Sequence, residues 1–336
     1  MLARLALFIS LAGVANGSPD NCAPCHRAQT RAFSGSGMTR ALESTTQAAI
    51  LRANPTMKAE IGGFSYAIST SADESIYSVS DGKETIRIPI RWAFGQGTAG
   101  QTYLYDRDGR WYESRVSYFS AMRGLGLTMG AQSTIPSNLL EAAGRLTSPV
   151  EAGQCFDCHA TNVLKSPQPV LTAMVAGVQC ERCHGATESH LSARKTPMRK
   201  LGKFSTEETS DFCGQCHRTW AQVADAGPRG IQNVRFQPYR LGNSKCYDAT
   251  DSRIRCTACH NPHEPLETSA TAYDAKCVTC HARGAKPVTK ASAHICRVAT
   301  TGCNNCHMPR LHLPGANKKF ADHRIRVVKA NEQYPD

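Results

Sequence analysis

Residues 180–184 read Cys-Glu-Arg-Cys-His, and this pattern, Cys-x-x-Cys-His, occurs seven times in the chain. With 16 cysteines and 12 histidines among 336 residues, random order would give about 0.03 copies. The repeated pattern therefore has a chemical purpose, and it takes up all but two of the cysteines. In chain order the copies are Cys22, Cys25 and His26; Cys155, Cys158 and His159; Cys180, Cys183 and His184; Cys213, Cys216 and His217; Cys256, Cys259 and His260; Cys277, Cys280 and His281; and Cys303, Cys306 and His307.

The spacing of this motif suits the covalent attachment of haem. Two thiols separated by two residues can each form a thioether to one porphyrin, and the next residue's imidazole then binds the iron as proximal ligand. Zinc sites need Cys-x-x-Cys units in pairs, but seven is odd, and zinc leaves the recurring histidine unexplained. A thioredoxin-like motif would occur once, and a disulfide framework also ignores the histidines. The sequence therefore predicts seven covalently bound c-type haems, each with one iron.

Low-spin haems that carry electrons have a second strong ligand on the opposite face of the iron. Five histidines remain outside the motifs, and a methionine thioether is a further known haem ligand. His263 follows the proximal His260 by three residues, so we expect it to reach an adjacent haem and not the other face of the same iron. The distal candidates are His190, His263, His294, His312, His323 and Met38, with Met129, Met174 and Met308 as weaker alternatives.

The second half of the chain is dense in motifs. Six of the seven fall within residues 155–323, which leaves about 28 residues for each haem. Such short segments bury too little apolar surface to build a conventional core around each cofactor. We therefore expect short helices and loops wrapped around a packed haem array, in which the haems themselves form the core.

Residues 27–154 have a different composition. They contain no cysteine and no histidine, but 12 of the 23 aromatic residues. The stretch Thr85–Trp92 alternates apolar and polar residues with the period of a half-buried strand. Two further strands are predicted at 101–106 and 110–118, with Asp106-Arg107-Asp108-Gly109 as the turn between them. A small antiparallel β module is therefore expected here, serving as a scaffold or as a docking surface for a partner.

The first residues have the order of a secretory signal peptide. Arg4 precedes an apolar stretch, Leu5–Ala15, and Ala15-Asn16-Gly17 has the small-x-small form of a cleavage site. The apolar stretch is too short to span a bilayer. We expect cleavage after Gly17 and a mature chain without a membrane anchor, located in the periplasm or outside the cell. A buried N-terminal helix is the alternative.

These features predict an α+β fold class, mainly α with little regular structure apart from the β module. Four parts are expected in chain order: a signal peptide, residues 1–17; a first haem-binding segment, 18–59; a small β-rich insert, 60–150; and a hexahaem cytochrome c domain, 151–336.

Two cysteines lie outside the motifs, Cys246 and Cys296. In an oxidising compartment we predict a disulfide between them. It would close a loop of some 50 residues and stabilise the fold by roughly 4 kcal/mol in the chain-entropy description. The alternative is a pair of unbonded buried thiols.

The formal net charge is +12. Haem propionates are acidic, so many of the surplus arginines and lysines are expected to pair with them. The expected partners are redox proteins, either acidic cytochromes or membrane complexes linked to quinol. No Walker motif or nucleic-acid module is found in the sequence, so nucleic acid is not expected as a partner, and the oligomeric state is left open.

Three segments resemble multihaem cytochromes c related to cytochrome c-554 and hydroxylamine oxidoreductase. The resemblance implies short helices around a haem array, and it favours three of the distal candidates, since histidines placed like His190, His263 and His323 are distal ligands in that group. The Cys-x-x-Cys-Lys site of pentahaem nitrite reductases and the eighth motif of octahaem hydroxylamine oxidoreductases are absent from the sequence. The segments are Gly177–Gly185 with His190 after it, Cys256–His263, and Cys303–Pro309 followed by Asp322–Arg326.

The favoured function is an exported heptahaem cytochrome that acts as a respiratory electron carrier. One alternative is an oxidoreductase that acts on a small nitrogen or sulfur compound at a haem with an open distal side. Another is a cytochrome that polymerises for long-range extracellular electron transfer.

Overall fold

The computed structural model of the chain describes residues 19–163, 171–282 and 296–336. The predicted signal peptide and the candidate ligand His294 lie outside these residues. Within them the chain forms short helices and small antiparallel sheets, which confirms the predicted α+β class.

The helices are short and lie mostly in the second half of the described residues. They are α1 (Pro19–Cys22), α2 (Arg27–Phe33), α3 (Ala49–Ala53), α4 (Leu139–Ala143), α5 (Pro149–His159), α6 (Cys180–His184), α7 (Glu188–Ser192), α8 (Thr206–His217), α9 (Trp220–Ala226), α10 (Gln237–Gly242), α11 (Cys256–Cys259), α12 (Ala270–His281) and α13 (Cys303–His307). Four 3-10 turns lie at Gly37–Arg40, Ala131–Ser133, Leu201–Lys203 and Gly230–Arg235.

Most of the strands precede the second motif. They are β1 (Leu42–Ser44), β2 (Thr56–Ile61), β3 (Phe64–Thr70), β4 (Ser75–Ser80), β5 (Thr85–Ile90), β6 (Trp92–Phe94), β7 (Thr102–Arg107), β8 (Arg110–Ser114), β9 (Val116–Phe119), β10 (Gly124–Leu127), β11 (Gly144–Leu146), β12 (Ala160–Thr161), β13 (Val175–Ala176), β14 (Arg310–His312) and β15 (Lys319–Ala321). Two larger sheets have the orders β2-β3-β4-β5 and β1-β6-β7-β8-β11, and the remaining strands form antiparallel pairs.

The predicted hairpin is present, but two of the predicted strands are divided. Asp108 and Gly109 both have positive φ, 54° and 71°, as the central residues of a type I′ turn require. The stretch 85–92 is divided at Arg91, because β5 pairs with β4 in one sheet whereas β6 pairs with β1 and β7 in the other. The predicted strand 110–118 is likewise divided at Arg115, because β8 belongs to the five-stranded sheet whereas β9 pairs with β10.

The β module packs against the second motif around one buried aromatic side chain, and Phe94 also contacts the motif histidine His159 at 5.4 Å between ring centres. Phe156 of α5 is fully buried. Its ring centre lies 5.1 Å from that of Phe94, 5.4 Å from Trp111 and 6.1 Å from Trp92. These edge-to-face contacts fix α5, and with it the second motif, on the five-stranded sheet.

The three longest helices, α5, α8 and α12, each end at a motif histidine. Each begins at a serine whose hydroxyl accepts a backbone N–H of the first turn: Ser148, Ser205 and Ser269. Such caps satisfy helix donors that would otherwise be unpaired. In the last turn the two cysteines and the histidine stand at positions i, i+3 and i+4, which share one helix face. The motif is therefore displayed toward one side of its helix.

Among the described residues, no helix combines the length and the apolar character that crossing a membrane requires.

Candidate haem-binding site

Three motif histidines each face a histidine from outside the motifs. The ring centres of His26 and His190 are 6.3 Å apart, and those of His260 and His323 are 6.2 Å apart. The third pair, His184 and His263, has a separation of 5.9 Å with the ring planes only 4° from parallel. Three of the predicted distal ligands are thus brought opposite a proximal candidate.

These separations fit one metal ion held between two imidazoles. Metal–imidazole bonds are about 2.0 Å long and the ring centre lies about 1.1 Å behind the bonding nitrogen, so two trans ligands place their ring centres about 6.2 Å apart. Rings in direct contact would lie closer together than this when nearly parallel, as those of His184 and His263 are. The donor set therefore suits haem iron with two nitrogen ligands.

Backbone contacts fix the tautomer of several of these histidines. A carbonyl oxygen only accepts, so a neutral ring whose Nδ1 bonds to one carries its proton there and keeps Nε2 bare, the form that binds a metal. The pairs, with their Nδ1–oxygen distances, are His159 with Ala41 (2.8 Å), His184 with Arg199 (3.1 Å), His190 with Thr196 (2.9 Å), His307 with Arg326 (2.9 Å) and His323 with Ala321 (3.1 Å).

Burial keeps several of these imidazoles neutral. It lowers the pKa of His323 to about 4, and the nearby His260 also disfavours the proton. Burial likewise lowers the pKa values of His159, His217 and His260 below their ordinary range. Neutral imidazole is the form that binds metals, so the lowered pKa values favour the form in which these side chains would serve as ligands.

Two other distal candidates, Met38 and His312, lie among the described residues without facing a motif histidine. Met38 is half-buried in the turn Gly37–Arg40, three residues before the carbonyl that accepts from His159. His312 is exposed on β14, opposite Lys319. Within the described residues neither one has a ring contact with a motif imidazole, and no histidine from outside the motifs has a ring contact with His159, His217 or His307.

The three weaker candidates have structural contacts of their own. The sulfur of Met129 accepts a hydrogen bond from Arg235 at 2.9 Å. Met174 packs against the cluster around Phe156, and Met308 follows α13 as its C-terminal cap.

Cysteines of different motifs touch one another. Four side-chain contacts join thiols across motifs: Cys22 with Cys180, Cys158 with Cys216, Cys213 with Cys256, and Cys277 with Cys303. These are motifs one and three, two and four, four and five, and six and seven. Burial, with Cys180 as a smaller cause, raises the pKa of Cys22 to about 11. The attachment points are thus close together, and their contacts do not follow chain order.

Arg182 lies where motifs two, three and four meet. It belongs to the third motif, and its guanidinium lies 3.3 Å from the carboxylate of Asp157 in the second. It also contacts the thiol of Cys216 in the fourth motif, whose pKa falls to about 6, chiefly through the contact with Cys158 and further through Arg182. One cation therefore ties three attachment sites together.

Asp274 joins the last two motifs. Its carboxylate on α12 accepts the backbone N–H groups of Gly302 and Cys303, both at 2.7 Å, and these bonds lower its pKa. The start of α13 is thereby fixed against the helix that carries the sixth motif.

A cationic group near the fourth motif suits an acidic partner such as a haem propionate. Arg235 lies against the ring of Phe236 at 5.2 Å, and its Nε is buried without a hydrogen-bond partner. Burial lowers its pKa, and the charge of Arg218, the residue after His217, lowers it further. A buried cationic nitrogen is normally paired with an anion, so this half-buried guanidinium favours an acidic group near Arg218.

Cys246 and Cys296 are free thiols in the structure. Cys246 is half-buried near Cys259 and Cys280, and Cys296 is exposed. The disulfide between them stays a prediction.

Sequence reasoning missed the groups that orient the ligands. The carbonyl oxygens of Ala41, Arg199 and Arg326 leave no signal in a sequence, since every residue has one. Tyr273 is also missed: its ring lies 5.8 Å from that of His260, and its hydroxyl lies 3.4 Å from Nδ1.

Comparisons with known proteins point to one class, the multihaem c-type cytochromes. Residues 117–185, which hold the second and third motifs, match the family described as cytochrome c554 and c-prime. This supports the resemblance read from the sequence over that stretch, and with it covalently bound haem and electron transfer.

Two individual proteins are similar to the chain. Multiheme cytochrome MtrA of Shewanella baltica (strain OS185) is 27% identical over 176 residues, which is 48% of this chain and 47% of MtrA. The chain thus spans about half the length of that relative. The solved structure of the outer cell wall cytochrome OcwA has a TM-score of 0.51, covering 91% of this chain and 78% of that chain at 12% identity. At this identity the likeness concerns the fold.

Proposed function

We propose that the chain is an exported cytochrome with seven covalently bound c-type haems, which relays electrons between redox partners in respiration. The observation that carries the proposal is the set of three facing imidazole pairs, each with a separation suited to one haem iron. The seven motifs supply the fourteen thiols for attachment. When bound, haem supplies an iron that cycles between the ferric and ferrous states.

The axial ligands follow from the pairs. His26 and His190 would hold the first haem, His184 and His263 the third, and His260 and His323 the fifth. Each pair joins a motif to a segment that lies after a later motif, so the ligands also cross-link the chain. Two nitrogen ligands leave no open position on these irons, which favours electron transfer over binding of a substrate. His294, His312 and Met38 stay candidates for the remaining haems.

The contacts between attachment sites suggest the order of the relay. Thiol contacts connect motif one to three, four to five and six to seven. Motifs three and four, and motifs five and six, are linked more weakly, by the electrostatic influence of Cys216 on Cys183 and of Cys259 on Cys277. Motif two contacts motif four through Cys158 and Cys216. The proposed path is therefore one, three, four, five, six, seven, with the second haem as a side branch at the fourth.

Export and partner choice rest on the sequence. The arrangement of residues 1–17 and the attachment chemistry support secretion through a signal peptide. Those arginines and lysines that do not pair with propionates would attract acidic redox proteins.

A test of the proposed ligands uses alanine variants. His190→Ala, His263→Ala and His323→Ala are each expected to convert one low-spin haem to a high-spin form, because the iron loses one nitrogen ligand. Electron paramagnetic resonance of the oxidised protein measures the change, and added imidazole should restore the low-spin signal. Ser189→Ala, beside His190 on the exposed side of α7, is the matched control. Unchanged spectra in all three variants would contradict the assignment.

A second candidate function is reduction of a small oxyanion at the fourth motif. The unpaired Nε of Arg235 favours it, since an oxyanion could take the place there of a propionate. A high-spin signal that shifts when nitrite is added to the unmodified protein would support this reading. A spectrum that nitrite leaves unchanged would favour the relay.

A further inference from the structure

The C-terminal tail supplies His323 and is held by a buried ion pair. Arg240 of α10 and Asp322 are both completely buried. The guanidinium donates to the carboxylate through two parallel bonds, Nε to Oδ1 at 2.8 Å and Nη2 to Oδ2 at 2.9 Å. This planar fork fixes both the distance and the orientation of the partner. Asp322 directly precedes His323, so these two bonds fix the backbone position from which the imidazole of His323 extends.

Arg240 also contacts the last residues of the chain. Its third nitrogen, Nη1, donates to the carbonyl of Pro335 at 2.7 Å and to Oδ1 of Asn233 at 3.2 Å. The ring of Tyr334 covers the guanidinium, with 4.5 Å from Cζ to the ring centre. All three nitrogens of Arg240 therefore have partners, and the last residues of the chain shield the ion pair from water.

The same network fixes the backbone on the other side of His323. The hydroxyl of Ser244 donates to the carbonyl of His323 and accepts from the N–H of Ile325, both at 2.9 Å. Arg326 donates to Asp322 at 2.7 Å, and its own carbonyl accepts from Nδ1 of His307. One buried carboxylate thus links a distal candidate for the fifth haem to the proximal histidine of the seventh motif.

We propose that Arg240 is a positioning residue that holds His323 in place as the distal ligand of the fifth haem. The inference rests on the proposed function, because it takes His260 and His323 as the axial pair. Arg240 has no direct role in electron transfer; it acts through Asp322. Without the two parallel bonds from Arg240, the backbone before His323 would lose its anchor, and the imidazole would no longer be held where it could bind the iron.

The experiment compares Arg240→Gln, Arg240→Lys and His323→Ala by electron paramagnetic resonance of the haem-loaded protein. Arg240→Gln is expected to lose one low-spin haem, as His323→Ala does. Arg240→Lys keeps the charge but not the fork, so its loss should be smaller. Imidazole should restore the low-spin signal in each variant, which shows that the haem and His260 are intact. Arg107→Gln is the matched control, since Arg107 also has a carboxylate and a tyrosine ring beside it, but in the β module.

Tyr334→Leu provides a second route if Arg240→Gln fails to fold. It removes the ring over the guanidinium and leaves the fork in place, so a smaller high-spin fraction is expected. The inference is overturned if His323→Ala becomes high-spin while the folded Arg240 and Tyr334 variants stay fully low-spin. If His323→Ala itself stays low-spin, the ligand assignment under the proposed function fails instead.

Discussion

Replacing His263 by methionine is expected to raise the reduction potential of a single haem by on the order of 0.1–0.2 V, within the range over which axial ligands tune haem iron. A thioether donates less electron density than imidazole and so stabilises the ferrous state. His263 is suited to this exchange because its ring lies 5.9 Å from that of His184 and nearly parallel to it. Optical redox titration should show one component moving to higher potential.

Leu266→Met is the matched control for this exchange. Leu266 lies three residues further along and is 69% exposed, so the variant adds the same side chain at a position open to solvent. Its titration should match that of the unmodified protein. An identical titration for His263→Met would show that His263 does not bind iron.

Replacing Cys213 and Cys216 together by alanine is expected to destabilise the helical half of the protein severely. The helix that carries them, α8, packs against α5, α10 and α11. Loss of a haem from this position would remove more buried contacts than a large-to-alanine substitution, which itself costs about 2–5 kcal/mol. Hydrogen exchange should show loss of protection in α5, α8 and α11.

Cys22→Ala with Cys25→Ala is the comparison for that variant. The first motif lies near the start of the described chain, and Cys25 is exposed. Its loss should lower the haem content by one and leave protection of α8 and α11 intact. Equal protection in both double variants would show that the fourth haem is not part of the core.

The sequence predicts correctly those local structures that depend only on neighbouring residues. Asp108-Gly109 forms a hairpin turn because both residues tolerate positive φ. The division at Arg91 was not predicted, because the alternating pattern continues through Trp92 while the pairing partner changes. Which sheet a strand joins depends on distant residues, and periodicity carries no information about it.

In the candidate site, too, the sequence predicts the features set by local motifs and misses those set by the packing of distant segments. The motifs are evident from spacing, and the sequence predicted that His263 lies at a haem other than that of His260. That it faces His184 depends on how two distant segments pack, and so does the placement of His323 opposite His260. Arg240 gave no signal at all, since an arginine in a basic chain looks like surface charge until its complete burial is seen.

The most direct test of the account is the covalent haem content of the protein, secreted from a host that matures c-type cytochromes. The pyridine haemochrome spectrum and the intact mass should together give seven haems for each chain, with no metal other than iron. A colourless protein, or one in which the motif cysteines hold zinc, would contradict the account.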